Sequence, residues 1–222
     1  MLTDQQAREL ILRGYAIVHP GVEPTLPELQ YLGAIGKLEG TYGTAFGNAH
    51  NWGGLHACKA PGDLKIGDHY RCNPGPYWGG DAVVVQESKE GNVATGGYLA
   101  GMRAYPDDER GSCDTIRLVS ATKNYSQAWE LVKAGKGREA VFQFKKSGYF
   151  GLPAEDYSKA VERVVREIAA RVDGGKVALS FGTSSPSTPD STDTGKKVGG
   201  GAILALLGAG LVWILARRNR NA

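Results

Sequence analysis

The stretch Thr25-Leu-Pro-Glu28-Leu-Gln-Tyr-Leu32-Gly-Ala-Ile35-Gly-Lys-Leu-Glu39-Gly-Thr-Tyr42-Gly43 decides how the chain is read. Thr25 with Glu28 is a capping-box pattern, and Leu29, Leu32 and Ile35 place one apolar stripe at helical spacing. Gly33 and Gly36 lower the intrinsic helix propensity, so their presence points to close packing against a neighbour. The helix runs into Glu39 and then into a glycine-rich loop carrying Tyr42, Phe46, Asn48, Asn51 and Trp52. Spacing alone favours reading a glutamate at a helix end as a solvated charge.

Outward from this stretch the body reads as mostly helical. Thr3 with Gln6 repeats the cap, and Ala7, Leu10 and Ile11 give one apolar face before Gly14. Residues 53–97 change character. Gly, Pro and Asp punctuate short runs such as Ala82-Val83-Val84-Val85-Gln86, which predicts loops and a small β-hairpin. The helical period returns after Pro106. Ile116, Leu118 and Val119 mark one helix, Tyr125, Trp129 and Val132 a second, and Ala140, Val141 and Phe144 a third ending at Gly148. Tyr157, Val161, Val164, Val165 and Ile168 form the clearest amphipathic stripe. The expected class is mainly α (α+β), one helical domain over residues 1–172 with a small hairpin.

The tail has a different composition. Residues 173–197 are expected to be a polar flexible linker, rich in Ser, Thr, Pro and Asp from Ser184 onward. Residues 198–216 are 19 uncharged residues, nearly all apolar or glycine. As a helix they would span about 28 Å, close to a bilayer core of about 30 Å. Lys196 and Lys197 bound one end, Arg217, Arg218 and Arg220 lie in the basic tail 217–222, and Trp213 sits near the second interface. A single C-terminal transmembrane helix is expected, with Gly201, Ala205 and Ala209 as a small-residue stripe suited to weak helix–helix association. The opening Met1–Gln6 lacks a basic segment and an apolar segment, so no cleavable secretory signal is expected.

Charge narrows the function classes. Residues 1–172 carry 20 basic and 20 acidic side chains, and the net charge of +3 comes from the tail. The body lacks the basic bias of a nucleic-acid binder. The three cysteines, Cys58, Cys72 and Cys113, do not make a disulfide framework for a chain of 222 residues. His56-x-Cys58 and His69-x-x-Cys72 present two close ligand pairs. A structural zinc site, a Cys58–Cys72 disulfide and free thiols all fit that spacing.

Four motifs in order resemble the glucosaminidase branch of the lysozyme-like peptidoglycan hydrolases, a group that includes autolysin domains, flagellar muramidase domains and phage lysins. Leu38-Glu39-Gly40-Thr41-Tyr42-Gly43 resembles that family's Glu-x-x-aromatic-Gly element, and Asn48 to Gly54 resembles its Asn-aromatic-Gly loop. Met102-Arg103-Ala104-Tyr105-Pro106 resembles the segment leaving the hairpin, with Met102 where an aromatic is usual. Phe144 to Tyr149 together with Tyr157 resembles the Gly-Tyr…Tyr element before the last helix. The resemblance spans about residues 5–171.

That resemblance implies a lysozyme-like fold, peptidoglycan as substrate, and Glu39 as the general acid. It implies no metal or organic cofactor. Glycosidic cleavage needs an acid whose pKa is raised by apolar surroundings. Tyr42, Phe46 and Trp52 are expected to shield Glu39 and stack on sugar rings, and Asn48 and Asn51 to bind acetamido groups, although Asn in such a loop is also a turn former. Tyr149 is expected at the site. Tyr157 suits either the site or the core. A hydrolase needs a second carboxylate, sought among Asp63, Asp68, Asp81, Glu87 and Glu90, with Asp81 and Glu87 preferred. A lytic transglycosylase needs only the acid/base. A peptidoglycan-binding protein without activity is the rival from another class, and chitin is the rival substrate. A wall-lytic body with a C-terminal anchor suits the virion membrane of a membrane-containing bacteriophage or a bacterial inner membrane.

Overall fold

Helix α2 (Leu26–Leu38) is buried on all sides from Glu28 to Gly36, and the other helices are arranged around it. A helix without a solvated face must be enclosed by its neighbours. In this computed structural model they are α1 (Asp4–Val18) and α7 (Ala154–Val172), which pack on α2 directly, and α5 (Ser126–Lys133). Helix α6 (Gly137–Lys146) packs on α5 and α7, and α4 (Asp108–Ala121) packs on α1. A short α3 (Ala45–Asn48) lies in the loop after α2, and a 3-10 turn at Lys123–Tyr125 leads into α5. The structure describes residues 2–87 and 98–182, without the side chains of Phe46, Glu87 and Tyr98. Residues 1–86 and 99–181 form one compact unit.

Both capping boxes form. Thr3 Oγ accepts from the Gln6 amide (3.2 Å), and Glu28 accepts from the Thr25 amide (2.7 Å). The glycines at helical positions mark close approaches. A Cβ on Gly33 would lie 3.1 Å from Ile168 Cδ1, and one on Gly36 only 2.7 Å from the Trp52 ring. Helix α1 continues past Gly14 to Val18 and buries Tyr15, so its apolar face extends beyond the residues expected. Gly14 sits against α4, where a Cβ would be 3.0 Å from both Ile116 Cδ1 and Ser112 Oγ, so this glycine brings the two helices together.

Two further expectations are corrected. The hairpin is a three-stranded sheet in the order β1 (His69–Arg71), β2 (Asp81–Glu87), β3 (Tyr98–Arg103). Strands β1 and β2 are antiparallel, with Tyr70 opposite Ala82. The body also runs past residue 172. Asp173 pairs with Arg8 (2.6 Å), and Gln30 grips the following segment through Asp173 Oδ2 (2.9 Å), the Lys176 carbonyl (2.6 Å) and the Ala178 amide (2.9 Å). The Ser180 amide donates to the Gly135 carbonyl (2.7 Å), and Leu179 and Phe181 are buried in the main core. Residues 173–181 therefore belong to the domain and not to the linker.

Among the described residues no helix is long and apolar enough to cross a membrane. The segment 198–216, with Gly201, Ala205 and Ala209, lies outside the described residues, as do 183–197 and the tail 217–222.

Candidate active site

Glu39 stands where α2 stops. Its amide still bonds the Ile35 carbonyl (2.8 Å), and the chain turns at Gly40, where a Cβ would collide with the carbonyls of Asn51 and Trp52. Beyond Gly40 the backbone is left-handed at Thr41 (φ 47°), Tyr42 (φ 52°) and Gly43 (φ 83°), and again at Asn48 (φ 62°) and His50 (φ 52°). Each non-glycine residue held there costs about 1–3 kcal/mol, so the loop must be pinned by its surroundings.

The pins are identifiable. The Tyr42 amide donates to the Gly36 carbonyl (2.8 Å), and the Tyr42 hydroxyl donates to Asp4 (2.8 Å). Burial pushes the Asp4 carboxyl up, but hydrogen bonds from Tyr42, Lys37 and Arg171 outweigh it and hold Asp4 below its ordinary value. His50 Nδ1 pairs with Asp108 (2.8 Å), whose same oxygen lies 3.4 Å from Trp52 Nε1. Asn51 is fully buried. Its Oδ1 accepts from the Leu55 amide (2.8 Å) and its Nδ2 donates to the Leu55 carbonyl (2.9 Å), which folds residues 51–55 into a tight arch.

This arch brings Gly54 (φ 60°) against Glu39. A Cβ on Gly54 would lie 3.3 Å from Glu39 Oε2 and 3.4 Å from Glu39 Cβ. On its other side the Glu39 carboxylate accepts a hydrogen bond from the Tyr157 hydroxyl, supplied by the first turns of α7. Tyr157 in turn is stacked by Phe150 at 3.9 Å between ring centres. Burial, and then the negative charge of Glu39, raise the phenol pKa of Tyr157 and Tyr149 well above the ordinary value, and the same two causes act on Tyr31. The raised phenol keeps the proton with which Tyr157 donates to Glu39. Tyr31 Oη is buried without a hydrogen-bond partner among the described residues.

A cleft of about 190 Å³ is lined by Gly53 to His56 together with Arg103, Leu118, Tyr125 and Tyr149. Tyr149 Oη lies 3.5 Å from the Gly53 carbonyl. The far wall is organised by Asp114 of α4, a carboxylate with no exposed surface. Its Oδ2 accepts from Arg103 Nη1 (2.6 Å) and the Tyr105 hydroxyl (2.7 Å), and its Oδ1 from Arg117 Nη2 (3.1 Å). The Arg103 guanidinium also lies 4.8 Å over the Trp78 ring, and its Nε donates to the His56 carbonyl (3.0 Å).

The structure thus gathers Glu39, Tyr157 and Tyr149 at one place. It turns other expected residues inward. Tyr42 and Trp52 are core residues, tilted on each other at 5.4 Å, and present no face to a sugar. Asn51 uses both amide atoms on the backbone of the arch, so it shapes the loop and binds no acetamido group through them. Asp81 caps the start of β2 and pairs with His69 (3.0 Å), and no contact joins it to Glu39 among the described residues. The side chains of Phe46 and Glu87, and the whole of Glu90, lie outside what is described. Asp68 accepts from the Lys65 amide (2.8 Å) as a turn former.

The zinc set His56, Cys58, His69, Cys72 does not form, because Cys58 and Cys72 are joined as a disulfide (S–S 2.04 Å). That bond ties the segment after the arch to the residue that follows β1. No group of three or more metal-ligating side chains occurs among the described residues. Cys113 is a buried thiol pushed up to about 11, chiefly by burial. Asp114 is the functional-site residue that sequence reasoning missed. Its signal was present as two arginines, Arg103 and Arg117, near one carboxylate in the segment after the sheet.

No family model matches the chain, and no curated protein matches it in sequence. Among solved structures, the chain is similar to a peptidoglycan hydrolase from Sphingomonas sp. A1, with a TM-score of 0.49 and 16% identity over 76% of this chain and 95% of that one. It is also similar to the glycoside hydrolase domain of FlgJ from Salmonella typhimurium, with a TM-score of 0.45 and 14% identity over 78% of this chain and 92% of that one.

Proposed function

We propose that the body cleaves the glycan backbone of peptidoglycan, with Glu39 as general acid. The observation that carries this reading is the seat of Glu39. It is a half-buried carboxyl at a helix end, held by the Tyr157 hydroxyl and pressed against the backbone of Gly54, a residue that lines a cleft. Cleavage needs a proton donor placed at the leaving oxygen, and a carboxyl so oriented is suited to that role. The order of the four motifs supports peptidoglycan as the substrate class.

The second step has two forms. A hydrolase requires a carboxylate that activates water or attacks the anomeric carbon, and a lytic transglycosylase closes a 1,6-anhydro ring with the substrate's own hydroxyl. Digestion of purified sacculi, with product ends identified by mass, tests both. Reducing muramic ends indicate a muramidase, reducing glucosamine ends a glucosaminidase, and anhydro ends a transglycosylase. Intact sacculi would overturn the reading in favour of a binding protein.

Membrane anchoring by 198–216 completes the proposal, with Arg217, Arg218 and Arg220 on the cytoplasmic or virion-interior side. The Cys58–Cys72 disulfide supports placing the body on the opposite, oxidising face. A virion membrane or a bacterial inner membrane would present it to the wall. Protease added to spheroplasts expressing the chain should cut the body and spare the arginine cluster.

A further inference from the structure

Arg103 is more elaborately placed than a scaffold requires. It reaches the cleft from the end of β3, lies over the Trp78 ring, and is anchored by the Asp114 carboxylate and the His56 carbonyl. These contacts engage Nε and Nη1, and Nη2 meets no acceptor among the described residues. Asp114 is shared with Arg117, so one buried carboxylate serves two guanidinium groups and the cluster keeps a positive excess. Arg103 and Arg117 retain 23% and 28% exposure, against 0% for Asp114, so the excess faces outward and the negative charge does not.

A guanidinium pre-oriented in this way is suited to a planar carboxylate, because its remaining N–H groups form a fork whose direction is already fixed. We infer that Arg103 recognises a carboxylate carried by the glycan strand. This rests on the proposed cleavage of peptidoglycan and deepens it, because it makes the cleft selective for acidic strands over neutral ones. The carboxylate has two sources, the free lactyl group of a muramic residue in a peptide-free strand, or an acidic group of a stem peptide attached at that position. Trp78 and Asp114 act through Arg103 as positioning residues.

The test uses the full-length chain in detergent on four substrates. These are peptide-bearing strands, peptide-free strands, the same peptide-free strands with lactyl carboxylates reduced to alcohols, and chitooligosaccharides. A single charge-assisted contact should raise kcat/KM on a carboxylate-bearing strand about tenfold over the reduced strand. Arg103→Gln should bring that ratio close to one. Preference for peptide-free over reduced strands assigns the lactyl group, and preference for peptide-bearing strands alone assigns the stem peptide. If Arg103→Gln fails to fold, the unmodified chain still decides the matter, since added salt should raise KM on the preferred strand and leave it unchanged on the reduced one. Equal cleavage of acidic and neutral strands, or a salt-independent KM, would overturn the role of Arg103 while leaving the proposed function in place. Cleavage of none of the four would overturn the proposed function itself.

Discussion

The helical half of the body and the segment between α2 and α4 are held together by different forces. Around α2 the contacts are apolar, with Ile35, Phe144, Val161 and Val165 fully buried and Tyr31 stacked on Phe144 at 5.3 Å. From Gly40 to Tyr105 only Tyr42 and Trp52 reach that core, two small apolar clusters form around Met102 and Trp78, and the other fixings are polar, covalent or conformational. They include left-handed residues, the Asn51 arch, the disulfide, and the Arg103–Asp114–Tyr105 cluster. The contrast shows how the site is built. Glu39 is carried by the apolar half, which also supplies Tyr157 and Tyr149, and the arch pressed against it comes from the polar half. Packing fixes the acid, and specific bonds fix the arch it meets.

The largest expected effect comes from trimming the apolar half. Ending the chain at residue 172 removes the buried Leu179 and Phe181 and the partners of Gln30. At about 1.5–3 kcal/mol per buried side chain, plus about 1–3 kcal/mol for a buried amide left unsatisfied, the loss should be about 4–9 kcal/mol relative to a chain ending at residue 182. Denaturant unfolding of the two truncations measures it, and equal midpoints would show that 173–181 is ornamental.

Cutting the covalent tie in the polar half should have a smaller and more local effect. Replacing Cys58 and Cys72 by serine opens a short loop and should cost about 3 kcal/mol. Hydrogen exchange should quicken in the sheet and the arch and stay slow in α2 and α7. Uniform quickening would contradict the division between the halves.

Asp4 sits at the junction, where it holds the Tyr42 hydroxyl, Lys37 and Arg171. Its folded pKa is depressed, so its contribution is complete above the unfolded carboxylate value of about 3.9 and is lost as pH falls through the lower folded value. Asp4→Asn should cost about 2 kcal/mol at neutral pH, with the gap to the parent protein closing below about pH 4. Thermal unfolding as a function of pH measures that gap.

The smallest stability change and a disproportionate loss of activity are expected from Gly54→Ala. The left-handed φ costs about 1–2 kcal/mol, and the new methyl would crowd the Glu39 carboxylate. Activity that falls only in step with stability would show that the Gly54 contact does not shape the site.

The same contrast explains what was legible in the sequence. Helices in an apolar core advertise themselves by period, as the stripe from Tyr157 to Ile168 does. Residues 173–181 left no such trace, because Leu179 and Phe181 are held in place by Gln30, which is far away in the chain. At the site, the motif order pointed to Glu39, Tyr149 and Tyr157, and the structure brings the three together. Tyr42 and Trp52 turn inward and Asn51 takes the turn-forming role; aromatic and amide residues in a glycine-rich loop have the same pattern whether they face a ligand or hold the loop in shape. Their inward orientation follows from Gly36 and Gly40, whose missing side chains let the loop close onto α2. Asp114 was missed because a carboxylate in an amphipathic helix near arginines ordinarily reads as solvated surface charge.

The central claim is that Glu39, carried by α2 and oriented by Tyr157, is the proton donor. It is tested most directly by comparing sacculus digestion by the parent chain, Tyr157→Phe and Glu39→Gln, with folding checked by circular dichroism. Tyr157→Phe should lose up to about 10²-fold, because the carboxyl stays but its orientation is lost. Glu39→Gln keeps the shape without the proton and should lose at least about 10²–10⁴-fold while remaining folded. A folded Glu39→Gln protein that digests sacculi at the parent rate would contradict the account.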